Sequence, residues 1–255
     1  MLKLTPKLFL LVFVWTFSCS SGTVQDEAHK DYPSYYHSLH PMGVDKKLGK
    51  YTDLKNRINA KQRRFTIEYP TVDQAHKNGL VTLAKNYLYT TMCDSVFSHW
   101  YGTQWDFNGT TQEPRKGQIA CGYFVTTTLK HAGFDINRVQ LAQQAASKII
   151  TTMCGKGKTK VIGNSNEKAL SKYIGNQKDG IFIVGLDNHV GFIQKKGSKQ
   201  YFIHSSGLSP QQVVREKLLE SKAIKKSDAY YVGNLLENKT NIIKWIKKEK
   251  IKLAT

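Results

Sequence analysis

The spacing of the apolar residues changes late in the chain, and this change restricts the fold more than any other feature. Up to Ile174, apolar side chains recur every three or four positions, as in helices packed on one face. The pattern predicts helices over residues 54–64, 73–99, 121–133, 139–153 and 166–174. From Gly180 the period becomes two, which predicts strands over residues 180–186, 189–194, 200–205 and 229–235. Helices followed by strands indicate an α+β domain.

Two further features belong to helix ends and to the end of the chain. Asp73 is predicted to cap the second helix, and Asn164 or Ser165 the fifth. Residues 239–253 predict a basic amphipathic helix, with Trp245 on or near its apolar side. We interpret this helix as docked on the domain, and contact with a membrane is the alternative.

The first residues are typical of an export signal. Lys3 and Lys7 flank the start of an apolar run that ends near residue 17 and is followed by small residues. The run is short for a membrane span, and no other segment is long and apolar enough to cross a bilayer. We therefore predict a signal peptide over residues 1–18.

Cys19 lies where a lipoprotein carries its acylated cysteine. This position predicts lipidation of Cys19, with ordinary cleavage near residues 20–22 as the alternative. Residues 19–69 are then a tether or an N-terminal arm, which the alternative interpretation packs against the domain. The folded domain is predicted over residues 70–255.

The net charge of +19 predicts attraction to polyanions. For an exported protein, the expected anionic partners are envelope polymers or lipid headgroups. The sequence contains no zinc-finger spacing and no conspicuous helix-turn-helix pattern, so nucleic acid is not predicted as a partner.

Three cysteines remain beside Cys19. One interpretation pairs Cys93 with Cys154 and leaves Cys121 free. The alternative is that the first two are small buried side chains.

Cys121 has the features of a nucleophile. It opens a predicted helix, where unpaired N–H groups and the helix dipole favour the thiolate. Gly122 follows it and leaves room for a substrate backbone. The alternative is a structural cysteine.

Two histidines on neighbouring strands fit the roles of base and orienting residue. His189 begins one predicted strand and His204 ends the next. A hairpin with a loop over residues 195–198 places the two directly opposite each other on one face. That arrangement suits a general base oriented by a second histidine. A zinc site with Cys121 is the alternative, but no fourth ligand stands at a familiar spacing, so no metal is predicted.

In their order along the chain, these motifs resemble the NlpC-like family of cell-wall cysteine peptidases. The matching pieces are residues 101–105, Cys121, residues 133–138 with Gln143, the His189-Val190-Gly191 strand start, and Ile203-His204. The resemblance implies a papain-like fold, with helices packed on an antiparallel sheet. It implies Cys121 as nucleophile, His189 as base and His204 as the orienting residue. The implied reaction cleaves peptide bonds in peptidoglycan stem peptides or cross-links through a thioester acyl-enzyme, without a cofactor.

Departures from the family pattern surround the predicted nucleophile. Trp105 stands where the family has a tyrosine that helps to bind the oxyanion. The residues expected to bind substrate or oxyanion are Trp105, Gly122, Tyr101 and Arg138. Ala120 and Gly122 replace an Asp and a Ser that bind the free amine of the stem peptide in some family members. We therefore expect a different substrate register.

Two other functions stay open from the sequence. The altered residues beside Cys121 are compatible with a surface binding lipoprotein that has lost the chemistry. The same triad also suits a cysteine amidase or acyltransferase that acts outside peptidoglycan. The expected location is the bacterial envelope, with the protein exported and lipid-anchored in the periplasm or at the outer membrane.

Overall fold

The computed structural model describes residues 49–163 and 166–255. The predicted signal peptide, Cys19 and the first part of the arm lie outside the described residues, as do Asn164 and Ser165. Within the described residues, the chain forms an α+β fold of helices and a six-stranded antiparallel sheet.

Most of the helices precede the sheet, as the sequence predicts. They are α1 (Tyr51–Glu68), α2 (Gln74–Thr91), α3 (Phe97–Trp100), α4 (Cys121–His131), α5 (Arg138–Ala142), α6 (Ala146–Cys154), α7 (Glu167–Gly175), α8 (Lys222–Lys225) and α9 (Lys239–Lys247). A π-helical turn, Met92–Val96, joins α2 to α3, so the predicted helix over residues 73–99 is nearly continuous. The predicted helix over residues 139–153 is instead two helices, α5 and α6.

Local capping explains two of the helix starts. The Asp73 side chain accepts a hydrogen bond from the His76 backbone N–H, which confirms the predicted cap. α7 is capped by Asn166, whose side chain accepts from the Ala169 N–H. This cap lies one or two residues after the positions expected from the sequence.

Six strands form the sheet in the order β1-β6-β2-β3-β4-β5. They are β1 (Thr159–Ile162), β2 (Gly180–Gly185), β3 (Val190–Lys196), β4 (Lys199–Ser205), β5 (Val213–Lys217) and β6 (Tyr230–Asn234). β2 and β3 lie in the middle and are almost wholly buried. The two edge strands, β1 and β5, were not predicted, because β1 is short and β5 carries three charged residues.

Helices cover both faces of the sheet. On one face Ile183, Phe192 and Ile203 share a core with α2, α4 and α6. On the other face Phe182 and Phe202 pack with α7 and the residues around α8. The continuous burial of β2 follows from this two-sided covering.

α1 belongs to the folded domain. Leu54, Ile58 and Phe65 are buried in the main core. The Gln62 side chain donates to the carbonyls of Gly133 and Trp245, at 3.0 and 2.7 Å. The packed domain therefore begins N-terminal to the predicted boundary at residue 70 and includes α1.

α9 is docked on the domain, as predicted. Ile242, Trp245 and Ile246 are buried, and the Trp245 indole N–H donates to the Ala132 carbonyl at 2.8 Å. The helix ends at Lys247, earlier than expected. None of the helices within the described residues is both long and apolar enough to cross a membrane.

Cys93 and Cys154 do not pair, which decides between the two interpretations of these cysteines. Both thiols are free and buried. Cys93 lies in the π-helical turn, and Cys154 ends α6 against Gly233 of β6. The alternative interpretation, two small buried side chains, is confirmed.

The packing of α1 leads to a stability prediction. Phe65→Ala should lower the free energy of unfolding by about 3 kcal/mol or more, because it empties a buried site against Tyr87 and Trp245. Ile67→Ala is the matched control on the same helix, since Ile67 is 65% exposed. Urea denaturation of both variants measures the difference. Equal stability of the two variants would contradict the docking of α1.

Candidate active site

Cys121 is the first residue of α4, as predicted from the sequence. Ala120 before it is extended, so the first N–H groups of the helix have no helical acceptor. The backbone N–H groups of Val190, Gly122 and Cys121 itself lie near enough to the Cys121 sulfur to act on the pKa of its thiol. Val190 follows His189, so the sulfur lies beside the strand that carries the predicted base.

The loop before α4 is held in place by three hydrogen bonds, one of them to the sheet. The Ser205 hydroxyl donates to the Ile119 carbonyl at 2.6 Å. The Ile119 N–H donates to the Gln104 carbonyl, and the Ala120 N–H to the Gly109 carbonyl, at 2.9 and 2.8 Å. These bonds fix the position of Cys121 relative to the end of β4.

The two histidines meet, although the predicted register is wrong. β3 and β4 are joined by a two-residue turn, with Lys196 opposite Lys199, instead of the expected four-residue loop. His204 therefore lies one position beyond Ile203, which is paired with Phe192, and faces Gly191 rather than His189. The shift amounts to two residues, which keeps both histidines on one face as diagonal neighbours. His189 Nε2 lies 2.8 Å from His204 Nδ1.

Gly191 makes this diagonal contact possible. A Cβ at Gly191 would lie 2.6 Å from the Phe202 ring, 2.8 Å from the His204 Cβ and 2.9 Å from the Ile203 carbonyl oxygen. The His204 ring stacks on Phe202 with centroids 4.1 Å apart. Because Gly191 has no side chain, there is space beside the His204 ring. The His189 ring contacts His204 across this space.

Glu216 on β5 is a site residue that the sequence did not indicate. Its Oε1 lies 3.0 Å from His204 Nε2. It is placed there by a strand that was not predicted, so its spacing from the histidines carried no signal. Charged residues on both sides of it, Arg215 and Lys217, also made it resemble a solvent-facing position.

Burial keeps the nucleophile and the base neutral at rest. It raises the pKa of the Cys121 thiol, and the three N–H donors only partly oppose this effect. It lowers the pKa of His189 to about 3, with a smaller contribution from the charge of His204. Burial also lowers the pKa of His204, against the hydrogen bond and charge of Glu216.

Gly122 has a packing role that differs from the predicted one. A Cβ at Gly122 would lie 2.5 Å from the Ala142 carbonyl oxygen. The glycine therefore allows α4 and α5 to approach closely. The expected role, room for a substrate backbone, stays a prediction.

Arg138 supports the loop before α4. Its Nε donates to the Thr127 hydroxyl at 2.6 Å, and its Nη2 donates to the Thr110 carbonyl at 2.6 Å. The guanidinium also lies 4.8 Å from the centre of the Tyr123 ring. These contacts make Arg138 a structural link, and none of them is directed at Cys121.

Tyr101 and Trp105 differ in their exposure to the site. The Tyr101 hydroxyl is buried without a hydrogen-bond partner among the described residues, and burial raises its pKa. Its placement in the interior does not favour the expected contact with substrate. Trp105 is half-buried, and its indole packs on Gly207, in the segment that follows β4. Among the predicted binding residues, Trp105 keeps an exposed edge on the loop that leads to Cys121.

No cluster of three or more His, Cys, Asp or Glu side chains within residues 49–163 and 166–255 is arranged to hold a metal ion. The two histidines instead bind each other and Glu216. Their ring nitrogens are thereby committed to hydrogen bonds, apart from Nδ1 of His189.

No family model matches the chain, and neither does any curated protein or solved structure. The α+β class rests on the observed helices and strands. The finer assignment to a fold family rests on the motifs in the sequence and on the site geometry.

The low pKa of His189 predicts how stability depends on pH. The unfolded chain binds a proton at His189 below its ordinary pKa of 6.5, whereas the folded protein does so only near 3. The unfolded state thus binds more protons in this window, so the free energy of unfolding falls as the pH falls from 7 towards 3.

His189→Gln should therefore flatten this dependence. Urea denaturation at pH 7, 6 and 5 measures it, and part of the slope should remain because the pKa of His204 is also lowered. Parallel stability curves for the variant and the unchanged protein would contradict a neutral, buried His189.

Proposed function

We propose that this chain is an exported cysteine hydrolase of the NlpC-like type, with a papain-like fold, that cleaves peptide (amide) bonds in peptidoglycan. The observation that carries the proposal is the site itself. Cys121 opens a helix, its sulfur lies beside the N–H of the residue after His189, and His189 lies 2.8 Å from His204. This arrangement suits a nucleophile beside a base that a second histidine orients. The choice of peptidoglycan rests on the resemblance of the sequence motifs.

The geometry supports a reaction in two stages. His189 Nδ1 takes the proton of the Cys121 thiol as the sulfur attacks the carbonyl carbon of the amide. The negative oxygen that forms is stabilised by the N–H groups at the start of α4. The C–N bond then breaks, the amine leaves with the proton from His189, and a thioester remains on Cys121.

Water completes the cycle. His189 removes a proton from a water molecule that attacks the thioester carbonyl, and the C–S bond breaks. The carboxylic acid leaves and the thiol regains the proton. Because both groups are neutral at rest, the charged thiolate and imidazolium arise only while substrate is bound.

The residues beside the nucleophile favour a substrate without a nearby free amine. Ala120 and Gly122 present no side chain that binds an ammonium group. Trp105 forms part of the loop wall, and Phe107 on the same loop is 79% exposed. An apolar wall suits a cross-link or an extended stem better than a charged peptide end.

Digestion of purified peptidoglycan tests the proposal. The mature protein should release new peptide fragments, detected by mass spectrometry, and Cys121→Ala should release none because the thioester cannot form. Cys93→Ala is the matched control, since Cys93 is a buried cysteine away from the reaction, and it should retain the activity. Release of fragments by Cys121→Ala, or no release by the unchanged protein, would contradict the proposed hydrolase activity. Cleavage only beside a free N-terminal L-alanine would overturn the substrate register.

Two other functions have their own discriminating measurements. The raised pKa of Cys121 is compatible with a binding lipoprotein on the same scaffold, for which alkylation of Cys121 would show no dependence on His189. A cysteine amidase or acyltransferase acting on another substrate would leave peptidoglycan intact and cleave or transfer a different acyl group in a substrate panel.

We assign the anionic partner to one surface, formed by α1, α9 and the residues after α9. The Thr66 hydroxyl donates to the Ile246 carbonyl at 2.7 Å, so the two helices lie side by side. Residues 50–70 and 239–255 carry twelve Lys or Arg and three Asp or Glu, whereas the loop over residues 101–120 carries two of each sign. α9 meets α4 at Ala132, at the other end of α4 from Cys121. Binding at this surface leaves the site open.

The partner we propose there is an anionic lipid surface or envelope polymer of the compartment to which Cys19 would anchor the protein. Nucleic acid and membrane-spanning segments have no part in this proposal. Location in the bacterial envelope rests on the export signal and on the lipidation predicted for Cys19.

Charge reversal tests the surface. Arg57→Glu with Arg64→Glu, both exposed on one face of α1, should weaken co-sedimentation with phosphatidylglycerol vesicles about tenfold or more, since each basic residue near an anionic membrane contributes about 1 kcal/mol. Lys168→Glu with Lys225→Glu makes the same change of charge on α7 and α8 and should have a smaller effect. Equal losses of vesicle binding in the two double variants would mean that only the net charge of the protein matters. Unchanged vesicle binding in both would show that the surface of α1 and α9 does not contact the membrane.

A further inference from the structure

Three side chains on neighbouring strands form a continuous hydrogen-bonded series. Glu216 Oε1 lies 3.0 Å from His204 Nε2, and His204 Nδ1 lies 2.8 Å from His189 Nε2. Glu216 is paired with Phe202 in the register of β4 and β5, so it too contacts His204 as a diagonal neighbour. The series runs from the edge strand β5, through β4, to His189 at the start of β3.

Glu216 is held in the ionised form. Burial acts to raise the pKa of this carboxyl group, but hydrogen bonds from His204 and Ser221 and the charge of Lys222 hold it below its usual range. An ionised carboxylate only accepts hydrogen bonds. The proton between Glu216 and His204 must therefore lie on His204 Nε2.

The remaining protons follow in sequence. A neutral imidazole carries one N–H, so His204 Nδ1 is an acceptor. The proton between the two histidines then lies on His189 Nε2, and His189 Nδ1 keeps a free lone pair. Nδ1 is the nitrogen that a general base for the Cys121 thiol needs unprotonated.

We propose that Glu216 is a positioning residue that sets the tautomers of both histidines and thereby keeps the basic nitrogen of His189 available to Cys121. The catalytic part of this inference rests on the proposed function. Glu216 touches neither the nucleophile nor the site of the substrate, and it acts through His204. When His189 becomes a cation during the reaction, the negative charge of Glu216 stabilises it through the same series.

The surroundings hold the series in one arrangement. Phe202 stacks on the His204 ring and meets His189 edge-on, with centroids 6.0 Å apart. Ser221 holds the carboxylate and also caps α8. His204 is 1% exposed, so water does not offer its Nε2 an alternative acceptor.

Nitrogen-15 NMR of histidine-labelled protein tests the tautomers directly. At pH 7 both His204 and His189 should show the Nε2–H form. Glu216→Met should populate the Nδ1–H form of His204, because no acceptor then holds the proton on Nε2. Glu216→Leu should do so as well, because its side chain also has no acceptor, and it serves if the Met variant does not fold. An Nδ1–H form in the unchanged protein, or unchanged tautomers in the folded variants, would overturn the proposal.

Hydrolysis of peptidoglycan supplies the second readout. Glu216→Met should lower kcat/KM about a hundredfold, within the usual contribution of a general base, and shift the pH profile, with KM little changed. Glu220→Gln is the control, since Glu220 is an exposed glutamate paired with Lys217 near the same strand end. Activity that survives Glu216→Met would refute the positioning role while the hydrolase stands. Tautomers that respond to Glu216 in a protein without hydrolysis would instead refute the proposed function alone.

Discussion

The approach of the Cys121 sulfur to the Val190 N–H joins the helical layer to the sheet, and the rest of the site depends on it. For this approach, α4 must begin beside the start of β3. The close approach of α5 at Gly122 and the bond from Ser205 to Ile119 bring the helix start to that place. Once the sulfur lies beside Val190, the preceding residue, His189, is the nearest base along the strand.

The site contains groups that are neutral at rest, the Cys121 thiol and the two imidazoles, and one group that is charged, the Glu216 carboxylate. The thiol and both imidazoles are neutral because burial removes water from them. Glu216, at the edge of the sheet, remains ionised. A buried neutral pair costs little to fold, whereas a buried ion pair requires compensation for the loss of water. The permanent negative charge at the edge would compensate for the positive charge that the proposed reaction places on His189.

The sequence predicted the elements with strong periodicity and missed those without it. The helix starting at Cys121 and the central strands were found, because burial on one or both faces leaves an apolar pattern. β5 was missed since Val213 and Val214 precede three charged residues, and Glu216 was missed with it. The contact of His189 with His204 was predicted through a wrong loop length. The contact nevertheless forms, because a register shift of two residues keeps every side chain on the same face of its strand. Arg138 and Gly122 also have packing contacts that a single sequence does not reveal, beside the binding role and the gap predicted for them.

The inclusion of α1 in the domain changes the distance over which an anchored protein can work. With the domain starting near Tyr51, residues 20–50 are all that separate it from Cys19. A chain of that many residues spans at most about 110 Å. A protein acylated at Cys19 would thus sample a thin shell next to its membrane. Bonds within that shell would be cut repeatedly, and those farther away would be out of reach.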